Sequence, residues 1–452
     1  MNEKVLAASS SSNTSSHTSS YDSPAALKSS KKQKLPYDWK EKLHEPDFDI
    51  DRSNAGRSMT AYYNLVCCVC GTGMLSLSSV LASGGWGALA LLILCWWMTM
   101  YASCILIRCL YYGGEKRLES VNKVAEAAFG RWGNYVSFFF NAWLLLGTPT
   151  LYIVLCGQNL NDLCQGTVAE IGQIPWSIVF AATITIFFVF MKTMDSLSWT
   201  SCVGVIATFA TTLIIVIEAA RDPEHPVDTV VRENIVWDGW PSAVAVIAFS
   251  LGGNVIYPNC EAAMRRPERW PMIAISGLST CALTYIMISV PGYFVYGEAA
   301  ENPIYNNIPH GVGRIMAIVL VTCNIMVSIP IFAGSFALDC ENIMGITVER
   351  LGKRKEFIYR AIWRIFIMVF CTVIACTVPH FSPLMSLFGA FGYSTTIFII
   401  PVLCYYKLTG LRNKPFYELI GGFLTILMGL VGLIFGTWDA IESLIVAFRG
   451  EA

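Results

Sequence analysis

The stretch that decides the fold is the uncharged sequence YYNLVCCVCGTGMLSL at residues 62–77. It lies in an apolar run, yet it carries Gly71 and Gly73 where a membrane-spanning helix would be regular. A glycine costs about 1 kcal/mol relative to alanine inside a helix, and irregular backbone at membrane depth is tolerated only where it is buried in protein or lines a cavity. The stretch therefore predicts a broken helix. Close packing of helices through small residues is the alternative interpretation.

A second stretch of the same kind is FSLGGNVIYP at residues 249–258. Its segment comes five apolar segments after the first, an odd number, so the two segments would cross a membrane in opposite directions. Paired interruptions in two inverted halves are the best sequence indication of a transporter's binding site. The two stretches together predict one site, because a broken helix frees N–H and C=O groups that can hold a zwitterionic solute.

The composition places the chain among membrane proteins. Of its 452 residues, 54% are hydrophobic and only 14% are charged, and the mean hydropathy is +0.53, whereas soluble domains carry about 25% charged residues. We predict an all-α membrane protein with eleven spans in the apolar segments 60–82, 86–111, 134–157, 174–191, 198–218, 239–262, 271–295, 312–335, 361–380, 382–406 and 416–440.

The basic residues predict the orientation. With the N-terminus in the cytoplasm, the inner loops hold most lysines and arginines, including Lys353 and Lys414, whereas Asp228 and other acidic residues lie in outer loops. This asymmetry follows the rule that cytoplasmic loops are positively charged, and an odd number of spans places the C-terminus outside. The predicted outer loops lack an Asn-x-Ser/Thr sequence, which favours a vacuolar or other internal membrane, with the plasma membrane as the alternative.

The chain divides into three parts. Residues 1–56 are rich in serine and lysine and predict a disordered cytoplasmic tail. Residues 57–447 form the transporter domain, and residues 448–452 form a short C-terminus on the non-cytoplasmic side. Within the domain, residues 119–131 predict an amphipathic surface helix that ends at a glycine, and residues 336–360 predict a polar cytoplasmic connector.

The sequence does not indicate an enzyme. The five histidines form no cluster with ligand spacing and no convergent catalytic set, so we predict no metal, no cofactor and no nucleic-acid partner. Glu261, Asp339 and Glu341 fall near the inner membrane boundary, where we expect solvated carboxylates. A membrane interior with so little fixed charge suits a small zwitterion. Polar residues of the spans could line its site, although for each an interhelical hydrogen bond is the alternative; they are Thr72, Asn254, Thr322, Asn324 and Ser328.

Three motifs resemble one family of transporters. Tyr63-Asn64-Leu65 leading to GTGMLSL at 71–77 and GGW at 84–86 resembles the first helix of the amino acid/auxin permease family. A second motif resembles the sixth helix of that family and consists of AFS at 248–250, Gly252 and the run from Pro258 to Pro267. A third, PGYFVYG at 291–297, resembles the end of its seventh helix. The resemblance covers about residues 57–445 and is nearest to fungal vacuolar and vesicular branches.

The resemblance implies a fold and a substrate site. Family members have eleven spans, ten of which form two inverted five-helix repeats of the leucine-transporter type, and they carry amino acids with protons or sodium. The substrate-binding residues implied for this chain are Cys70, Gly71, Thr72, Gly73, Met74, Phe249, Ser250, Gly252, Gly253 and Asn254, with Tyr152 as a wall residue.

Energy coupling depends on one departure from the family pattern. Sodium-coupled members have a second asparagine three residues after Asn64, where this chain has Cys67, and sulfur is a poor ligand for a hard cation. A proline common after Leu77 is also replaced, by Ser78. We therefore predict proton symport or antiport. The coupling candidates are Asn64, Thr322, Ser328 and His380, the last because histidine titrates nearest to neutral pH; an interfacial histidine with no role is the alternative.

The predicted function is secondary active transport of amino acids by alternating access, with lipid, amino acid and protons as partners. The substrate would sit at the unwound middles of helices one and six. The alternative is a transporter-like sensor that binds an amino acid and signals through its cytoplasmic tail.

Overall fold

The computed structural model describes residues 58–112, 117–190, 198–222, 230–346, 348–412 and 414–449. The predicted tail at 1–56 lies outside the described residues, as do Asp228 of the outer loop and residues 450–452. All regular secondary structure in the described ranges is helical. The predicted all-α class is confirmed.

Sixteen α-helices follow one another along the described chain. They are α1 (Ser58–Val69), α2 (Leu77–Gly84), α3 (Gly87–Leu110), α4 (Val121–Phe129), α5 (Arg131–Leu163), α6 (Gln173–Phe190), α7 (Ser198–Arg221), α8 (Trp240–Ser250), α9 (Tyr257–Ala262), α10 (Trp270–Tyr296), α11 (Val312–Met344), α12 (Val348–Thr377), α13 (Phe381–Leu387), α14 (Ile400–Thr409), α15 (Phe416–Val431) and α16 (Thr437–Arg449). Short 3-10 helices, Thr72–Ser76 among them, join some of these, and the π-helices Phe388–Ile399 and Gly432–Gly436 continue α13 and α15.

Ten helical stretches in the described residues are long and apolar enough to cross a membrane. Each matches one of the predicted segments. The predicted segment 239–262 is present as two short helices, α8 and α9, because its middle is not helical. The count of eleven spans, which requires this broken pair to cross as well, stays a prediction, as does the inverted five-helix repeat.

The predicted connector at residues 336–360 is mostly helical. Helix α11 continues to Met344, and α12 begins at Val348 but is interrupted at Gly352, which has φ +74° and ψ +157°. The helix continues because Phe336, Ala337 and Cys340 keep an apolar face that is buried in the protein. That residues 336–360 connect two spans in the cytoplasm stays a prediction.

The predicted surface helix is α4. Its buried residues include Val124, Ala125 and Ala128, which share one face. Gly130, at φ +72°, ends the helix in a conformation that favours glycine. The hydroxyl of Ser137 on α5 donates to Asn122 at 2.9 Å and ties the surface helix to the bundle.

Two carboxylates that we expected to be solvated are buried. Glu261 has no exposed area and Glu341 is 6% exposed. Each faces an arginine, Arg117 and Arg364 respectively, at 2.7 and 3.0 Å. The prediction failed because a partner of opposite charge compensates the loss of hydration, and sequence does not show that partner.

Candidate functional site

The predicted break in the first segment is present. Helix α1 ends at Val69, Cys70 and Gly71 are irregular, and the chain resumes as the 3-10 helix Thr72–Ser76 before α2 begins. Gly71 has φ −88° and ψ −132°, far from helical values. The backbone therefore leaves the helix at the residues that the glycines indicate.

The second break lies between α8 and α9. Helix α8 ends at Ser250, and the residues up to Ile256 form turns rather than a helix. Pro258 occupies the first turn of α9, where its missing N–H costs no hydrogen bond. Both interrupted segments thus contain non-helical backbone in their middles.

The two breaks contact each other directly. The Ser250 hydroxyl donates to the carbonyl oxygen of Gly73 at 3.0 Å and to that of Val246 at 2.8 Å. A Cβ atom on Gly73 would lie 2.5 Å from the Cα atom of Ser250. Glycine is required at position 73 because the two backbones approach too closely for a side chain.

A tyrosine from a third segment joins both breaks. The hydroxyl of Tyr285 on α10 lies 2.7 Å from the carbonyl oxygen of Val69 and 2.5 Å from that of Ser250. These carbonyls end α1 and α8, so they lack a partner within their own helices. Tyr285 therefore caps two helix ends with one hydroxyl, and nothing in the sequence pattern singled it out.

Aromatic rings enclose the breaks. A Cβ atom on Gly71 would lie 3.0 Å from the hydroxyl oxygen of Tyr152, and one on Gly252 would lie 2.3 Å from the ring of Tyr393. Tyr393 also packs edge-on against Phe249 at 5.5 Å. Tyr152 was expected beside the site, whereas Tyr393 was not. The predicted binding residues are all buried, so this conformation is closed around them.

Polar side chains at both breaks are buried without a hydrogen-bond partner among the described residues. They are Thr72, through its hydroxyl, and Asn254, through both atoms of its amide; each residue is 1% exposed. A buried polar group without a partner costs about 1–3 kcal/mol. These groups are therefore available to a polar ligand held between the breaks.

A buried polar cluster surrounds Cys67. The amide nitrogen of Asn324 on α11 donates to the carbonyl oxygen of Gly204 at 3.1 Å and to the hydroxyl of Thr208 at 3.0 Å. The sulfur of Cys67 lies 3.8 Å from the same amide nitrogen and 3.9 Å from the Ser328 hydroxyl. The amide nitrogen of Asn324 thus donates to two oxygens of the cluster, whereas the amide oxygen of Asn324 is buried without a hydrogen-bond partner among the described residues. Cys67 contributes sulfur, which is a poor ligand for a hard cation.

Thr322, a second coupling candidate on α11, lies in a different network. It accepts a hydrogen bond from the amide of Asn159 at 3.1 Å, and Tyr305 donates to the oxygen of that amide at 2.5 Å. Burial raises the pKa of the Tyr305 hydroxyl well above its usual range, so it remains a donor at neutral pH. The structure does not bring Thr322 and Ser328 to one cluster.

His380 lines an open cavity of about 720 Å³ on the predicted outer side. Asp439, Glu442 and Asn302 are among the other lining residues. The amide oxygen of Asn302 accepts a hydrogen bond from Ser76 at 2.6 Å, so the cavity reaches the outer end of the first break. His380 thus faces an approach to the site and not the site itself.

Asn64, the remaining coupling candidate, lies toward the inner side. It borders a cavity of about 10 Å³ together with Asn259, Cys260 and Ser335. That is the space of about one water molecule. The four coupling candidates therefore occupy four separate places. No group of three or more His, Cys, Asp or Glu side chains that could hold a metal lies in the described part of the chain.

Comparison of the sequence with known protein families and proteins identifies the family of this chain. The model of the family described as "Transmembrane amino acid transporter protein" matches residues 55–442. The chain is similar to "Amino acid transporter AVT1I" of Arabidopsis thaliana, with 29% identity over 89% of this chain and 99% of that protein. It is 27% identical to "Amino acid transporter AVT1J" of the same plant, over 88% of this chain and 93% of the other.

A relative from an animal is also similar. "Proton-coupled amino acid transporter-like protein pathetic" of Drosophila melanogaster is 22% identical over 78% of this chain and 77% of that protein. The relatives are named as transporters and not as enzymes. Together with the ten spans and the family match over most of the sequence, these findings show that the chain is a multi-pass membrane protein that belongs to the transmembrane amino acid transporter family.

Proposed function

We propose that this protein is a secondary active transporter that holds its amino acid substrate between the two helix breaks. The observation that carries the proposal is the pair of buried side chains without partners, Thr72 at the first break and Asn254 at the second. They belong to segments of opposite predicted direction and lie where the backbone is irregular. Buried polar side chains in proteins usually have a hydrogen-bond partner, and a substrate between the breaks would supply one to both of these residues.

The chemistry suits a zwitterion. The residues predicted to bind substrate carry no side-chain charge, so an ion with a net charge would find no counter-ion among them. Backbone N–H groups can hold a carboxylate, and backbone carbonyls can hold an ammonium group. Tyr152, Phe249 and Tyr393 would contact the rest of the substrate.

Protons are the proposed driving ion. The cluster at Cys67 supports this, because it holds a sulfur atom, a poor ligand for a hard cation, beside Asn324 and Ser328. A relative named as a proton-coupled amino acid transporter-like protein is consistent with it. His380, in the outer cavity, is the proposed entry point for the proton. Symport and antiport both fit these observations.

The proposed topology is that of an alternating-access transporter. Eleven spans, with the N-terminus in the cytoplasm and the first ten forming two inverted repeats, would place the two breaks at the same depth. The outer cavity of about 720 Å³ and the inner one of about 10 Å³ support a conformation in which the binding residues are enclosed and the inner side is the more tightly closed. We propose a vacuolar or other internal membrane as its location.

A sensor is the second candidate. The polar N-terminal tail of 56 residues favours it, because such a segment can carry signals between binding site and cytoplasm. A sensor would bind an amino acid at the same breaks but would move little of it across the membrane.

Uptake by reconstituted protein tests both candidates. Purified protein in liposomes is given a panel of labelled amino acids under a proton gradient, a sodium gradient or neither. We expect uptake of at least one amino acid with the proton gradient alone, and its collapse on addition of a protonophore. Liposomes with the Gly73→Leu variant are the control. Binding without uptake would favour the sensor, and uptake that requires sodium would contradict proton coupling.

A further inference from the structure

The side chain of Arg117 binds the short helix α9 at two places. Its side chain is 5% exposed and lies 2.7 Å from the carboxylate of Glu261. Its Nε atom donates to the same carboxylate at 2.8 Å, and its Nη2 atom donates to the carbonyl oxygen of Pro258 at 2.7 Å. One guanidinium thus binds both the first turn and the last turn of a helix that is only six residues long.

The partner of Arg117 is fully buried. Glu261 has no exposed area, and it also accepts a hydrogen bond from the hydroxyl of Tyr111 at 2.5 Å. Tyr111 and Arg117 follow α3 in the chain, on the predicted inner side. The inner half of the broken segment is therefore fastened to the loop after α3 by a charged pair that water does not reach.

The position of this pair relates it to the site. Helix α9 follows the non-helical residues after Ser250, and a Cβ atom on Gly253 would lie 2.7 Å from the ring of Tyr257 at the start of α9. Cys260, on α9, borders the inner cavity of about 10 Å³. An amino acid is far larger than this cavity. The inner side is therefore closed to it where α9 borders the cavity.

We propose that Arg117 and Glu261 form a clamp that holds the inner side of the transporter shut, and that their separation is required for that side to open. Both are positioning residues, since they act through α9 and do not contact the substrate site. The inference rests on the proposed function, in which a solute leaves through this side. It assigns the inner closure to one ion pair that joins α9 to the loop after α3.

The reactivity of Cys260 tests the clamp without measuring transport. Cys260 is 6% exposed and adjoins Glu261, so it should become reachable when α9 moves. Purified full-length protein is treated with N-ethylmaleimide, and the modified fraction of the Cys260 peptide is followed by mass spectrometry, which separates it from the other cysteines. We expect modification to be at least about tenfold faster in Glu261→Gln than in the unaltered protein, which corresponds to about 1.4 kcal/mol.

A double variant controls for misfolding of the Glu261→Gln variant. Arg117→Gln combined with Glu261→Gln removes both charges of the pair together, so neither is left buried without the other, and the variant should fold while still lacking the ion pair. The matched control is Glu356→Gln, which breaks another largely buried pair, with Arg360 at 2.6 Å on α12. Its Cys260 should react at the unaltered rate.

The rates of Cys260 modification in these variants either support or overturn the proposed clamp. Faster modification in both clamp variants and not in the control supports the clamp. Unchanged modification in the double variant, or an equal increase in the control, overturns it. Failure of the proposed function is seen separately, as absence of uptake by the unaltered protein in liposomes, whatever the rate at Cys260.

Discussion

The hydroxyl of Ser250 lies 3.0 Å from the carbonyl oxygen of Gly73, although the two residues are 177 positions apart. This hydrogen bond joins the two broken segments without any charged group. The site is thus built mainly from backbone whose helical partners are missing. That construction explains why two glycine-containing stretches in the sequence were enough to predict the breaks.

Replacement of Gly73 by alanine should strongly reduce transport. The added Cβ would lie 2.5 Å from the Cα atom of Ser250, so the two breaks must separate. We expect at least about a tenfold loss of uptake, equivalent to about 1.4 kcal/mol, and a complete loss with Gly73→Leu, while the protein remains folded. Gly311→Ala is the matched control, because its Cβ would meet no atom closer than 3.9 Å. Full uptake by Gly73→Leu would exclude this site.

Tyr285→Phe should lower both stability and uptake. The change removes the hydroxyl that contacts the carbonyl oxygens of Val69 and Ser250, leaving buried acceptors unsatisfied at a cost of about 1–3 kcal/mol. Thermal unfolding in detergent and uptake in liposomes measure the two effects.

The control for that change is Tyr62→Phe. Tyr62 also joins α1 to α10, through a hydrogen bond of 2.9 Å to Thr280, but the bond is only partly buried and lies away from the breaks. It should leave uptake close to normal. If both variants lost uptake equally, the effect would come from general contact between these helices and not from the capping of the breaks.

Sodium should not stabilise the protein. A site with a dissociation constant of 1 mM would add about 2.7 kcal/mol at 100 mM sodium, and that would appear as a higher melting temperature than in choline chloride. We expect equal melting temperatures, because Cys67 places sulfur in this cluster, and sulfur is a poor ligand for a hard cation. A clear increase in sodium alone would contradict the proposed coupling.

The sequence was sufficient for the fold class and the helix breaks because both depend on local composition. Long uncharged runs predict spans, and glycines inside such runs predict irregular backbone. The structure has non-helical backbone at Gly71 and after Ser250, as these rules predict. The family resemblance was needed to choose Tyr152, which no local pattern distinguishes.

Long-range partners could not be predicted in the same way. Tyr285, Tyr393 and Arg364 act through residues far away in the chain, and their sequence surroundings resemble those of ordinary span residues. The same limit explains the error over Glu261 and Glu341. A carboxylate near a span end is usually solvated, and only the folded structure shows the arginine that makes burial possible.

Arg364→Met should destabilise the protein strongly. Arg364 is 2% exposed, and it donates to Glu341 at 3.0 Å and to the carbonyl oxygen of Phe188 at 3.1 Å, so it connects three spans. Removal of one partner from a buried pair costs about 3–5 kcal/mol, because the other charge stays buried. Thermal unfolding should show this loss, and the added change Glu341→Gln should restore part of it. No recovery in the double variant would mean that the arginine acts mainly through other contacts.

The direction of the chain in the membrane can be tested with single introduced cysteines. Lys353 is exposed at the predicted inner side, and Val168 is fully exposed in the loop between α5 and α6, on the predicted outer side. In sealed vesicles of known orientation, a membrane-impermeant maleimide should label Lys353→Cys only from the cytoplasmic face and Val168→Cys only from the opposite face. Labels at Asp228 and Ala452, which lie outside the described residues, should behave like Val168. Since the predicted number of spans is odd, cytoplasmic labelling at Ala452 would show that α8 and α9 do not complete an eleventh span.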